Sequence, residues 1–133
     1  MSMESGQERR KAERIDVGFT LIYSVEKPYT LRINLGFADD VDALMVNLSD
    51  LGMAILVEQE LSLGALLYIK FNIIDLTLTK EERRRHMEIT GEVVSCQRIA
   101  PRSCRIGIRF NKISDEDKLL VSDFVKRNKF PSA

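Results

Sequence analysis

Val17, Phe19, Leu21, Tyr23 and Val25 alternate with Gly18, Thr20, Ile22 and Ser24. A repeat of two is the period of a strand with one buried face. Lys27-Pro28 breaks it, because proline cannot donate to a ladder. Leu31, Ile33 and Leu35 alternate with Arg32 and Asn34, which predicts a second extended piece. Asp39-Asp40-Val41-Asp42 then reads as a turn or loop. Ala43–Leu48 and Met53–Glu58 are short apolar runs joined by Ser49-Asp50-Leu51-Gly52, the pattern of a hairpin with a tight connection. Leu61–Ile74 holds a further strand centred on Leu66–Phe71, and Glu88–Ile99 pairs with Arg102–Asn111 around Ala100-Pro101. In the last of these, Cys104, Ile106, Ile108 and Phe110 fall on one face, and Arg105, Gly107 and Arg109 on the other. One face packs inward and the opposite face is basic.

After Ser114 the period changes. Ser114 can cap the exposed amides of a helix over 114–128, and Asp117 stands where a capping box closes. Asp115, Glu116 and Asp117 begin it, and Lys126, Arg127 and Lys129 end it, which complements the helix dipole. Leu120, Val121, Phe124 and Val125 form an apolar stripe at helical spacing, suited to covering a sheet. Several strands followed by one late helix predict a mainly β chain: a small antiparallel barrel with a C-terminal helix. Residues 1–14 offer almost nothing to bury and read as a flexible basic N-terminal arm ahead of a domain over 15–130. Lys80–His86, almost entirely charged, reads as a solvated hairpin tip.

Composition narrows the function. A chain of 133 residues, 44% hydrophobic, suits one domain with its own core. Its 20 basic and 20 acidic side chains cancel, which argues against a nucleic-acid binder driven by overall charge. Two cysteines make no disulfide framework, so a reducing, cytoplasmic setting is expected. The longest apolar runs, Met53–Val57 and Ala65–Ile69, are too short for membrane insertion, and the first fourteen residues lack the apolar core of a signal peptide. His86, the only histidine, falls in a charged run and reads as a surface residue. Cys96 and Cys104 lack metal-like spacing and read as small buried hydrophobes. The acids at 39, 40 and 42 lack the glycine and terminal glutamate of a calcium loop. No catalytic constellation stands out, so neither an enzyme, a metal site nor a resident cofactor is expected.

Two elements carry chemistry. Arg10 and Arg14, within Arg9-Arg10-Lys11-Ala12-Glu13-Arg14, lie four residues apart. Extended, they are separated by about 13–14 Å, so two guanidinium forks can act on one ligand of nucleotide dimensions. The planar fork binds a phosphate or the guanine O6/N7 edge bidentately, and its flat face stacks on a base. The second element is Asn47-Leu48-Ser49-Asp50-Leu51-Gly52. At strand spacing Asn47 and Ser49 point to one side, and Gly52 permits a positive φ or a close backbone approach to a ligand. Taken alone, this element reads as an ordinary polar turn.

Together they resemble the PilZ domain family, bacterial receptors for cyclic di-GMP, whose pattern is R-x-x-x-R in an N-terminal arm followed by [D/N]-x-S-x-x-G. Arg10 to Arg14 matches the first motif, and Asn47, Ser49 and Gly52 match the second. Gly91-Glu92-Val93-Val94, Gly107-Ile108-Arg109-Phe110 and the terminal helix also look like the family, over roughly residues 9–128. The resemblance implies a six-stranded antiparallel barrel whose arm wraps over cyclic di-GMP. It implies that Arg10 and Arg14 grip phosphate and the guanine Hoogsteen edge, and that Asn47 and Ser49 contact the other guanine or its neighbouring backbone. Gly52 keeps the turn open, and Arg9 matches members in which an extra arginine favours an intercalated ligand dimer. The ordered arm then signals to a protein of motility, secretion or biofilm machinery. Two stretches depart from the pattern as insertions, Tyr29–Asp42 and Lys80–His86. Two rival readings are a PilZ-like adaptor acting by protein contacts without ligand, and an oligonucleotide-binding barrel using Arg98, Arg102, Arg105 and Arg109.

Overall fold

The computed structural model describes residues 13–28, 30–31 and 40–129. Six strands form in chain order: β1 (Ile15–Lys27), β2 (Val41–Leu48), β3 (Gly52–Val57), β4 (Leu66–Ile74), β5 (Arg84–Ala100) and β6 (Ser103–Lys112). They pair antiparallel in the order β1-β2-β3-β6-β5-β4, and β4 pairs back onto β1, so the sheet closes into a barrel without a free edge. A helix, α1 (Asp115–Asn128), follows.

The alternation in β1 points Leu21, Tyr23 and Val25 into the core, with their neighbours Thr20, Ile22 and Ser24 more exposed. Facing them are Met45, Ile55, Leu67, Ile69, Ile89, Ile106 and Ile108, all buried. In β6 the two faces separate as the sequence predicts: Cys104, Ile106 and Ile108 are buried, while Arg105 and Arg109 are exposed. α1 lays Val121, Phe124 and Val125 against the barrel, and the Phe124 and Phe19 rings stand 5.8 Å apart. The Asp117 amide donates to the Ser114 hydroxyl at 3.1 Å, so Ser114 is the N-cap and the helix begins at Asp115.

A buried carboxylate fastens the other end of α1. Asp75, 2% exposed, follows β4 and accepts from the Thr77 amide at 3.0 Å, the Thr77 hydroxyl at 2.5 Å, Arg127 Nε at 3.0 Å and Asn128 Nδ2 at 3.1 Å. Burial alone would raise the Asp75 carboxyl, but the donors from Thr77, Asn128 and Arg127 outweigh it and hold the pKa below the usual carboxylate value.

Three sequence readings change. Val41 and Asp42, expected in a turn or loop, open β2 and pair with Tyr23 and Ile22. Leu31, where a second extended piece is predicted, sits in helical backbone, its amide donating to the Pro28 carbonyl at 3.2 Å. Residues 29 and 32–39, the rest of that stretch, lie outside the described residues. The charged run Lys80–His86 is not wholly a hairpin tip. Arg84, Arg85 and His86 belong to β5 and pair with Ile74, Ile73 and Asn72. Arg84 and His86 fall on the outer face of β5, where charge does not oppose a strand, and Arg85 shares the face of Met87 and Ile89 but stands exposed at the end of the strand beside Ile73, Asp75 and Phe124. His86 is exposed and lies 2.8 Å from Glu88. Both cysteines are free, Cys104 buried and Cys96 only partly so.

Candidate functional site

The β2–β3 connection is built by Ser49. Its amide donates to the Gly52 carbonyl at 2.9 Å, and its hydroxyl accepts from the Leu51 and Gly52 amides, both at 3.2 Å. The hydroxyl also lies 3.3 Å from the Gly52 carbonyl, to which it donates. One short polar side chain thus satisfies the inner groups of a four-residue turn. The Leu51 carbonyl accepts from the Phe110 amide at 2.9 Å, which pins the turn to β6.

Asn47, next to last in β2, borders the same cleft as Ser49. It is 6% exposed, and its Oδ1 accepts from the Ala54 amide at 3.0 Å. The β2–β3 register shifts between Met45 and Asn47, and the side chain supplies the acceptor there. With the carbonyl oxygen used in this way, the NH2 group of Asn47 bonds no other group among the described residues.

Gly52 is glycine for a different reason from those its position in the sequence suggests. Among the described glycines only Gly64 has a positive φ, at 86°. At Gly52 an added Cβ would lie 2.1 Å from the Ile108 carbonyl oxygen, so the close approach is to β6 backbone. Gly107, across β6, repeats the theme: a Cβ there would lie 2.3 Å from Ser95 Oγ. The register sets Ala54 and Ser95 on either side of Gly107, so small residues meet across three strands.

These features line one cleft of about 410 Å³, in the range of small-molecule sites. Arg14, Asn47, Ser49, Gly52, Ser95 and Arg109 all border it, and Arg105 and Gly107 complete its β6 side. Leu51 and Val94, 44% and 48% exposed, give it apolar walls suited to a flat ring. Arg109 bonds Glu92 at 2.8 Å, whereas Arg14 and Arg105 have no ion pair among the described residues. A cleft with three guanidinium groups, apolar walls and amide donors can hold an anion carrying a planar base.

Of the residues singled out in the sequence, Arg14, Asn47, Ser49 and Gly52 meet here, while Arg9 and Arg10 lie outside the described residues. Ser95, Arg105 and Arg109 are added by the fold. The outward set of β6 marked the two arginines as one basic face, but only the pairing of Gly52 with Arg109 and Ala54 with Gly107 brings that face to the turn. Arg98 bonds Glu60 and the Pro101 carbonyl and does not border the cleft. Among the described residues no cluster of His, Cys, Asp or Glu could hold a metal ion, and no helix is long and apolar enough to cross a membrane.

A model of the PilZ domain family matches residues 8–127. No curated protein matches the chain significantly. Among solved structures, the inhibitor of motility MotI/DgrA of Bacillus subtilis is similar with a TM-score of 0.67 and 18% identity, over 91% of this chain and 51% of that one. The chain therefore spans about half the length of that protein. The PilZ domain of YcgR from Escherichia coli with c-di-GMP gives 0.61 and 15%, over 90% of both chains. The PlzA protein of Borreliella burgdorferi in complex with c-di-GMP gives 0.52 and 16%, over 93% of this chain and 44% of that one.

Proposed function

Because the chain belongs to the PilZ domain family, we propose that it is a receptor for cyclic di-GMP. Ligand binding folds the N-terminal arm across the β2–β3 turn. The observation that carries the reading is the meeting of Arg14 with Asn47, Ser49 and Gly52 on one cleft. Solved relatives in complex with c-di-GMP support the choice of ligand.

Each residue has a role consistent with its surroundings. Arg14 grips a phosphate or the Hoogsteen edge of a guanine, Arg10 takes the neighbouring phosphate or base, and Arg9 adds a third fork. The NH2 group of Asn47 donates to guanine O6 or N7. Ser49 acts mainly through the turn, since its hydroxyl already serves Leu51 and Gly52. Arg105 and Arg109 add positive charge along β6, and Leu51 and Val94 pack on the ring faces.

The proposed output is a receptor's, not a catalyst's. Ordering the arm costs chain entropy, and its new position presents or hides a surface for a protein of motility, secretion or biofilm machinery. The structural similarity to an inhibitor of motility agrees with that class of partner.

Calorimetric titration with cyclic di-GMP tests the reading, with cyclic di-AMP and GTP as controls. A bidentate arginine contact is worth about 1–3 kcal/mol, so Arg10→Ala and Arg14→Ala each weaken binding by about tenfold or more while the fold persists. Unchanged affinity in both variants refutes the assignment. Absence of binding by the unaltered protein favours the ligand-free adaptor instead.

A further inference from the structure

Glu13 and Arg14 are neighbours at the root of the arm, and their side chains serve different parts of the molecule. Arg14 borders the cleft. Glu13 forms an ion pair with Lys129, the C-cap residue of α1. Adjacent side chains make the two contacts, so one backbone path satisfies both. From the geometry we infer that Glu13 and Lys129 are positioning residues for Arg14: the pair anchors the arm root to the end of α1 and holds the arginine at the cleft before ligand arrives. This rests on the cyclic di-GMP reading above.

The anchor itself is stiff. Arg127 and Asn128, the two residues before Lys129, both bond the buried Asp75 carboxylate, at 3.0 and 3.1 Å. Asn128 Nδ2 also donates to the Phe124 carbonyl at 2.9 Å. Lys129 therefore leaves a helix end that is tied to the barrel, and its ammonium stands on a fixed base. Lys126 lies close enough on the same helix to add to the positive field at Glu13, and together the two lysines hold the Glu13 carboxyl below the usual carboxylate range.

Holding the arm root reduces the freedom that must be lost when the arm closes, which is preorganisation. Linkage makes the effect reciprocal: if the pair favours the bound arm, ligand strengthens the pair to the same degree. The end of α1 is then the place where occupancy of the cleft is felt. Glu13 and Lys129 are about half exposed, with side chains 53% and 59% accessible, so the coupling is modest and falls with salt.

Four variants test this: Glu13→Gln, Lys129→Gln, both glutamines together, and the exchange of Glu13→Lys with Lys129→Glu. Two readouts apply, cyclic di-GMP affinity and the Arg14 and Ile15 amide signals of the free protein. Each single variant is expected to weaken binding by about two- to fivefold with unchanged melting temperature. The double glutamine variant loses no more than either single, and the exchange restores most of the affinity. In the ligand-free protein, Lys129→Gln moves the Arg14 and Ile15 amides. Unaltered affinity in both single variants, or losses that simply add in the double, overturns the inference while the receptor reading stands. If the unaltered protein fails to bind, the receptor reading fails and this inference goes with it.

Discussion

Gly52→Ala separates two explanations of the glycine that closes the N-x-S-x-x-G motif. If glycine serves only to admit a ligand, alanine weakens binding and leaves the fold alone. The geometry says otherwise. The new Cβ would lie 2.1 Å from the Ile108 carbonyl oxygen, 3.2 Å from the Ile108 carbonyl carbon and 3.3 Å from the Arg109 Cα. Every obstacle is backbone of the β3–β6 ladder, so no side chain can turn away. Relief requires β3 to move from β6 by about 1 Å, which strains the ladder and the Leu51–Phe110 bond beside it. Overpacking of this kind costs about 1–3 kcal/mol, and an obstacle without rotamers belongs at the upper end. In a domain of this size that lowers the melting temperature by about 10 °C. Thermal and urea denaturation of the ligand-free protein measure it. Gly18→Ala is the control, since nothing lies within 4 Å of its Cβ, and it should change stability by no more than about 0.5 kcal/mol. If ligand-free Gly52→Ala melts within about 2 °C of the unaltered protein, the steric argument is wrong.

The remaining predictions concern stability. Asn47→Ala strands the Ala54 amide beneath the cleft and costs about 1–3 kcal/mol in urea denaturation, whereas Asn47→Asp keeps an acceptor there and retains most of it. Ser114→Ala removes the α1 cap and costs about 0.5–2 kcal/mol by the same assay. Asp75→Asn loses charge-assisted bonds to α1 and costs about 1–3 kcal/mol at neutral pH. The folded pKa of Asp75 is depressed, so its contribution is full above the ordinary carboxylate value of 3.8 and is lost as pH falls through the lower folded value. The gap in urea midpoint between the unaltered protein and Asp75→Asn should therefore narrow below about pH 4. A gap that stays constant there, or widens, contradicts the assigned direction.

What the sequence made legible is local. The alternation at Leu21, Tyr23 and Val25, the two faces of Arg102–Asn111 and the cap at Ser114 each depend on near neighbours, and each matches the fold. The misreading of Lys80–His86 has a local cause as well, because three charged residues at the exposed end of a strand look like a loop when the partner strand is unknown. The rest was illegible because it depends on register or distance along the chain. Arg105 and Arg109 reach the cleft only through the β3–β6 pairing. Asp75 meets Arg127 and Asn128 across the whole of β5 and β6, and Glu13 meets Lys129 from the opposite end of the described chain. The reason for glycine at position 52 lies on another strand altogether.

The central claim is that cyclic di-GMP sits between the arm and the β2–β3 turn. Amide chemical-shift mapping during titration with cyclic di-GMP tests it most directly. The account predicts saturable shifts at residues 8–16, 47–54, Ser95 and Arg105–Arg109, with a smaller response at the Lys129 end of α1. Signals that stay fixed in large ligand excess, or that move only on the opposite wall around Lys70 and His86, would contradict it.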